Sequence, residues 1–108
     1  MMKKSKAEMK AILHEAKREA LQSIGNDDGG SANMDDLEIF DEDPTVVLEV
    51  CKEEGLTCIH HQDRKDNYVM VHSPDSRWQG YNNTRQVEAM QKTLEKKGIK
   101  SYVHYVID

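Results

Sequence analysis

The sequence predicts an α+β fold. The expectation is a small three-stranded mixed sheet with helices on one face, in the order α-α-β-β-α-β, with a basic helix and an acidic flexible linker ahead of the sheet. Three observations carry it. Short β-branched and aromatic runs alternate with helical periodicity in the C-terminal part. Each helical stretch ends at a glycine, the usual left-handed stop. Charge is zoned along the chain.

The zoning sets the expected boundaries. Residues 1–25 carry six basic and three acidic side chains and read as a basic helix. Residues 26–43 carry eight acidic side chains and no basic one, with Gly29-Gly30-Ser31 among them. Mutual repulsion and glycine favour an open chain there. Residues 44–108 carry nine charges of each sign and most of the large apolar residues, so they read as the small α+β domain.

The elements follow in order. Ser5 and Glu8 fit a capping box, and Lys6 to Leu21 is rich in good helix formers. Met9, Leu13, Ala16, Ala20 and Ile24 form its apolar stripe, and Gly25 is its expected stop. The stripe is thin, so this helix either docks on the body or binds a partner. Asp43-Pro44 opens the second helix as N-cap and first position, with Val47, Val50 and Cys51 on one face and Gly55 at its end. Leu56 to His61 and Tyr68 to His72 read as strands joined by a polar turn. Asn83 is the expected N-cap of the last helix, with Val87, Met90 and Leu94 inward and Gly98 as its stop. Ile99 to Ile107 is the last strand.

Composition excludes several classes. No apolar run approaches the roughly 20 residues that span a bilayer, so no membrane partner is expected. The start lacks an apolar h-region, and two cysteines are too few for a disulfide scaffold, so the expected setting is cytoplasmic. No phosphate loop, serine-nucleophile motif or paired-carboxylate cleft stands out. The chain therefore reads as a non-enzymatic protein without a cofactor.

Strand alternation divides the sheet into two expected faces. Ile59, Val69, Val71, Val103, Tyr105 and Ile107 would point into the core. Cys58, His60, Tyr68, Met70, His72, Tyr102 and His104 would share the other face. That face has four readings. It is a surface covered by the first helix; a single-strand nucleic-acid platform in which Tyr68 and Tyr102 stack bases and Lys100 meets phosphate; a zinc site of Cys58, His60, His72 and His104; or a thiol–imidazole pair of Cys58 with His60 or His104. The nucleic-acid reading lacks a basic excess. The metal reading lacks ligand spacing, so no metal is expected.

Two further segments carry residues enriched at binding hot spots. Arg77, Trp78 and Tyr81 sit in one loop, where Trp78 either anchors a partner or folds back to plug the edge of the core. Leu37, Ile39 and Phe40 form an apolar triplet among acids, which suits either a short motif that adds as a strand to a partner or fills its groove, or docking on this chain's own body as an edge strand. Asp36-Leu37-Glu38-Ile39-Phe40 resembles the pentapeptide by which bacterial replication proteins bind the sliding clamp. The Leu, acidic and Phe positions agree, while Asp replaces the leading Gln and Ile the second Leu. The same stretch resembles a SUMO-interacting motif, an aliphatic core followed by acids. The expected function is thus protein binding, regulatory or inhibitor-like, through the acidic-hydrophobic segment and the Trp78 loop. The alternative is single-strand binding by Tyr68, Lys100 and Tyr102.

Overall fold

A computed structural model describes residues 3–26, 35–75, 77 and 80–106. Local signals explain each element. Helix α1 (Lys6–Gln22) has the full capping box: the Glu8 amide donates to Ser5 Oγ, and the Ser5 amide donates to Glu8 Oε1. Helix α2 (Pro44–Glu53) starts at Asp43, whose carboxylate accepts from the Thr45 amide. Helix α3 (Tyr81–Lys96) starts three residues before expected, its N-cap being Gly80, without a side-chain cap bond, in place of Asn83. Asn83 lies inside the first turn instead, where its amide group serves tertiary contacts.

Gly55 and Gly98 have φ of 71° and 79° and close α2 and α3 in Schellman turns. The Leu56 amide donates to Cys51 O, and the Ile99 amide to Leu94 O. Leu56 and Ile99 are then buried where the chain leaves each helix. Gly25 plays no such part. Helix α1 ends at Ser23 in a right-handed conformation, with Ser23 Oγ donating to Ala20 O.

The strands are β1 (Asp36–Phe40), β2 (Cys58–Gln62), β3 (Asn67–Val71) and β4 (Ser101–His104). They form one four-stranded sheet in the order β2-β3-β1-β4, with every neighbouring pair antiparallel. The expected sheet had three strands and a mixed sense. The α+β class and the helices on one face stand; the strand count and direction are corrected. The reason is β1. Its residues lie in the stretch expected to be linker, yet they insert between β3 and β4 and turn a parallel neighbourhood into an antiparallel one. From β1 onward the order is β-α-β-β-α-β, the split ferredoxin-like arrangement.

The core lies between the sheet and the helices. Leu37, Ile39, Val69 and Val71 face Val47, Val50, Val87, Met90 and Leu94, all buried. Helix α1 packs across α2 and α3 on the side away from the sheet, burying Met9, Ile12, Leu13, Ala16 and Ala20. Lys6 and Lys10 tie it to Glu53 at 2.8 and 2.7 Å. Those two ammonium groups hold the Glu53 carboxyl down at about 2. The first helix therefore docks, but not on the far face of the sheet. Among the described residues, no helix is long and apolar enough to cross a membrane.

Candidate functional site

Among the described residues, all three helices lie on one side and the other face of the sheet carries no layer. Pairing aligns its side chains in rows. Phe40 lies opposite Tyr68, and Tyr68 opposite His61. The Phe40 amide donates to Lys100 O at 2.9 Å, which brings the start of β4 into the same row. The rings touch in sequence. His61 stacks on Tyr68 at 4.7 Å and 22°, Tyr68 meets Phe40 at 5.1 Å, and Phe40 meets Tyr102 edge-on at 5.5 Å. The Lys100 ammonium stands 5.8 Å over the Phe40 ring. Ile59, Met70 and Glu38 continue the surface beside Tyr102. Ile59 is 55% exposed and Tyr102 53%, whereas Phe40, Tyr68 and Met70 are half-buried.

Contacts among these rings make the row stiff before anything binds. Each ring pair is worth about 0.5–1.5 kcal/mol beyond its burial. A surface already ordered loses little side-chain entropy on association. At the β2 end, the Asp63 carboxylate is fixed by the Asp66 and Lys65 amides, which with His61 lower its pKa, and Asp63 Oδ2 lies 3.0 Å from His61 Nε2.

The electrostatics come chiefly from β1. Glu38 lies in the middle row, between the rings and the imidazoles, and Asp36 lies at the end of the strand in the row of His72 and His104; both carboxylates are largely covered. His72 Nδ1 pairs with Asp36 Oδ1, and His104 Nδ1 lies 3.6 Å from Glu38 Oε2. Partial burial, then the Glu38 carboxylate, raise the Tyr68 phenol above its ordinary pKa. Lys100 faces Asp41 at 3.7 Å. The face is thus aromatic with an acidic centre and a cation at one end.

Sequence alternation placed β2 one residue out of phase. Ile59 and His61 lie on the open face, while Cys58 and His60 lie on the helix side, paired with Val71 and Val69. The set Cys58, His60, His72 and His104 is therefore split between faces and does not converge. Among the described residues, no group of three or more His, Cys, Asp or Glu can hold a metal ion. Burial raises the pKa of both the Cys51 and the Cys58 thiol, which disfavours the thiolate a nucleophile needs.

The other expected binding residues separate. Leu37 and Ile39 are 0% and 2% exposed and belong to the core. In a strand, alternate residues face opposite sides, so the stretch resembling a clamp-binding or SUMO-interacting motif presents only Asp36, Glu38 and Phe40 outward. Filling a partner's groove with Leu37 and Ile39 would require withdrawing them from the core. Arg77 forks onto the Asp75 carboxylate at 2.9 and 2.7 Å. Tyr81 is 48% exposed at the start of α3, with the Arg85 guanidinium 5.8 Å from its ring. Trp78 lies outside the described residues, as does Ile107. Tyr68, Lys100 and Tyr102 do come together, and Phe40 joins them.

Sequence reasoning missed Phe40, His61, Asp36 and Glu38 as members of this face. It also missed a buried polar hub at the start of α3. Asp35 is 3% exposed there; its carboxylate accepts from Thr84 Oγ1 at 2.7 Å and from the Val106 amide at 2.8 Å. Asn82 exchanges two bonds with Gly25, and Gln86 exchanges two with Asp75. This hub ties the end of α1, the start of β1, the loop after β3 and the end of the chain to α3. Its bonds are satisfied internally, so its role is structural.

Comparison of the chain with protein-family models, with curated proteins and with solved structures found no match.

Proposed function

We propose that this chain is a non-enzymatic protein-binding module of regulatory type, and that its docking surface is the helix-free face of the sheet. The observation that carries the reading is the contiguous row His61–Tyr68–Phe40–Tyr102, flanked by Ile59 and Met70, on a face that no helix covers. Tyr, Phe, Met and His over a few carboxylates is the composition of an interface centre rather than of ordinary solvated surface. Asp36 and Glu38 specify the partner's chemistry. They call for an apolar patch carrying Arg or Lys, and they raise the association rate for such a partner. The acidic-hydrophobic segment then acts through its outward residues Asp36, Glu38 and Phe40. Arg77, Trp78 and Tyr81 are assigned as a second point of contact.

A second reading has one specific observation behind it. Tyr68, Phe40 and Tyr102 lie ring to ring with Lys100 beside them, as in sheets that stack unpaired bases. Two carboxylates amid the rings oppose a phosphate chain, and the net charge of −5 adds to that. Single-strand binding therefore stands second.

The test uses the full chain and the pair Ile59→Ser with Tyr102→Ala. Both side chains are more than half exposed, so folding is preserved. The protein retained by wild type in affinity capture is identified, purified and titrated back. The reading requires that the double variant weaken its binding about tenfold or more, a loss of about 1.4 kcal/mol or more. Undiminished binding by the double variant refutes it. A labelled oligonucleotide that binds wild type at low salt, and is lost with Tyr102→Ala, promotes the second reading instead.

A further inference from the structure

The two edges of the sheet are built differently. Hydrogen bonds run from the His72 amide to Thr57 O at 3.0 Å and from the Asp63 amide to Asp66 O at 2.9 Å. With Cys58 opposite Val71 and His61 opposite Tyr68, antiparallel alternation makes Thr57, Ile59, His61 and Asp63 the residues that bond to β3. Cys58, His60 and Gln62 therefore aim their amides and carbonyls away from the sheet. No described residue bonds to those backbone groups. On the opposite edge the outward residues are Ser101 and Val103, and Gln91 Nε2 donates to Ser101 O at 3.2 Å. A side chain of α3 thus occupies one of the outward carbonyls of β4.

Strand β2 has no such guard. Edges are normally protected by Lys, Pro, a bulge or a covering element. Cys58-Ile59-His60-His61-Gln62 has no Lys, Pro, Asp or Glu, and all five residues pair with β3 without a bulge. Ile59 adds an exposed aliphatic side chain to this edge.

We propose that two copies of this chain pair antiparallel through β2, about a two-fold axis at His60, to make one continuous eight-stranded sheet. The register follows from the alternation. The outward residues 58, 60 and 62 are symmetric about 60. A two-fold axis there sets His60 against His60 of the second copy, and Cys58 against Gln62 in both directions. All three are hydrogen-bonded pairs, and each exchanges two bonds, six in all. An axis at Ile59 or His61 also sets outward groups against outward ones but leaves only two such pairs within the strand, four bonds in place of six, and an axis at Cys58 or Gln62 runs off the strand. Side chains agree with this register. Ile59 gains His61 of the second copy as its cross-strand neighbour, no Asp, Glu, Lys or Arg of the strand opposes its like, and the one like pair is His60 with itself at the axis. The two helix-free faces become one surface. An extended segment of a different protein is the competing occupant of the edge, and it leaves the purified chain monomeric.

The test is sedimentation of the full chain from about 5 to about 500 µM at neutral pH, a span covering weak to moderate self-association, with amide exchange at both limits. The expected mass rises from 12.4 kDa toward twice that value. The amides of Cys58, His60 and Gln62 gain protection by about tenfold or more as it does. His60→Lys brings two ammonium groups together at the axis and weakens association about tenfold or more. If that variant loses its fold, Gln62→Lys is the substitute. Tyr102→Ala leaves the dimer intact, which separates this proposal from docking on the face. A chain that stays monomeric at the upper concentration overturns the proposal. So does a dimer in which the three amides stay unprotected.

Discussion

Leu37→Ala decides whether the acidic stretch is a tether or a structural strand. Leu37 is fully buried, paired with Val71 on one side and Val103 on the other. The substitution removes three carbons. At about 0.8 kcal/mol for each buried methylene, the transfer loss is about 2.4 kcal/mol. The cavity left between two rigid strands raises the total to about 3–5 kcal/mol. A domain of this size has about 5–15 kcal/mol to lose, so a large fraction of its stability goes. Urea unfolding followed by far-ultraviolet circular dichroism measures it. With a slope of about 1.5 kcal/mol per molar, the midpoint falls by about 2 M or more, and the slope itself stays unchanged. A segment that only tethers α1 to the rest predicts no shift. A loss below about 0.5 kcal/mol, the range of ordinary surface changes, would refute the placement of β1 in the core.

Two further outcomes test the surroundings of the sheet. Asp35→Ala withdraws the acceptor of the half-buried Val106 amide and of the Thr84 hydroxyl and costs about 1–3 kcal/mol, read by urea unfolding, together with faster exchange of the Val106 amide; unchanged exchange contradicts it. The Tyr105 hydroxyl donates to Glu88 Oε2 at 2.7 Å, which, with burial, raises its pKa to about 12. Its neutral form is favoured by folding, so this contribution is present below the ordinary tyrosine value and is lost as pH rises through about 12. In an ultraviolet titration the ionisation of Tyr105 is delayed toward about 12, and Glu88→Gln removes the delay; a titration indifferent to Glu88 contradicts the assignment.

The helix boundaries were largely legible because their signals are local. Ser5 with Glu8, Asp43 with Pro44, Gly55 and Gly98 each act within one turn of chain. The core residues of α2 and α3 followed from periodicity for the same reason. Strand phase was harder. In β2, Cys58 and His60 on one side and Ile59 and His61 on the other offer nearly equal hydrophobicity, so alternation cannot choose between them. The choice is made elsewhere, by the buried Leu56 after the Gly55 turn and by the Asp63 turn that fixes the register with β3. Asn82, Asn83 and Gln86 were opaque for another reason. A buried amide in a helix looks like solvated surface until its partners, far away in sequence, are known.

β1 is the instructive case, because its period-two pattern was visible and its charge concealed it. Leu37 and Ile39 alternate with Asp36, Glu38 and Phe40, which is the pattern of a half-buried strand. Counting charges over the whole stretch favours a linker, and the apolar triplet alone points to an edge strand; neither reveals a strand inserted between β3 and β4. In the fold the acids separate by position. Asp35 enters the hub at α3, Asp36 and Glu38 stand on the open face beside His72 and His104, and Asp43 caps α2. The same parity that buries Leu37 therefore puts Glu38 beside the rings and Asp36 between the two imidazoles at the end of the same face. Rings alone would suit a stacked base as well as a protein. Rings around Asp36 and Glu38 weaken any phosphate chain laid across them and strengthen an arginine or lysine set among them. The acidity of this short strand, rather than that of the whole chain, is what ranks a basic protein partner above a nucleic acid.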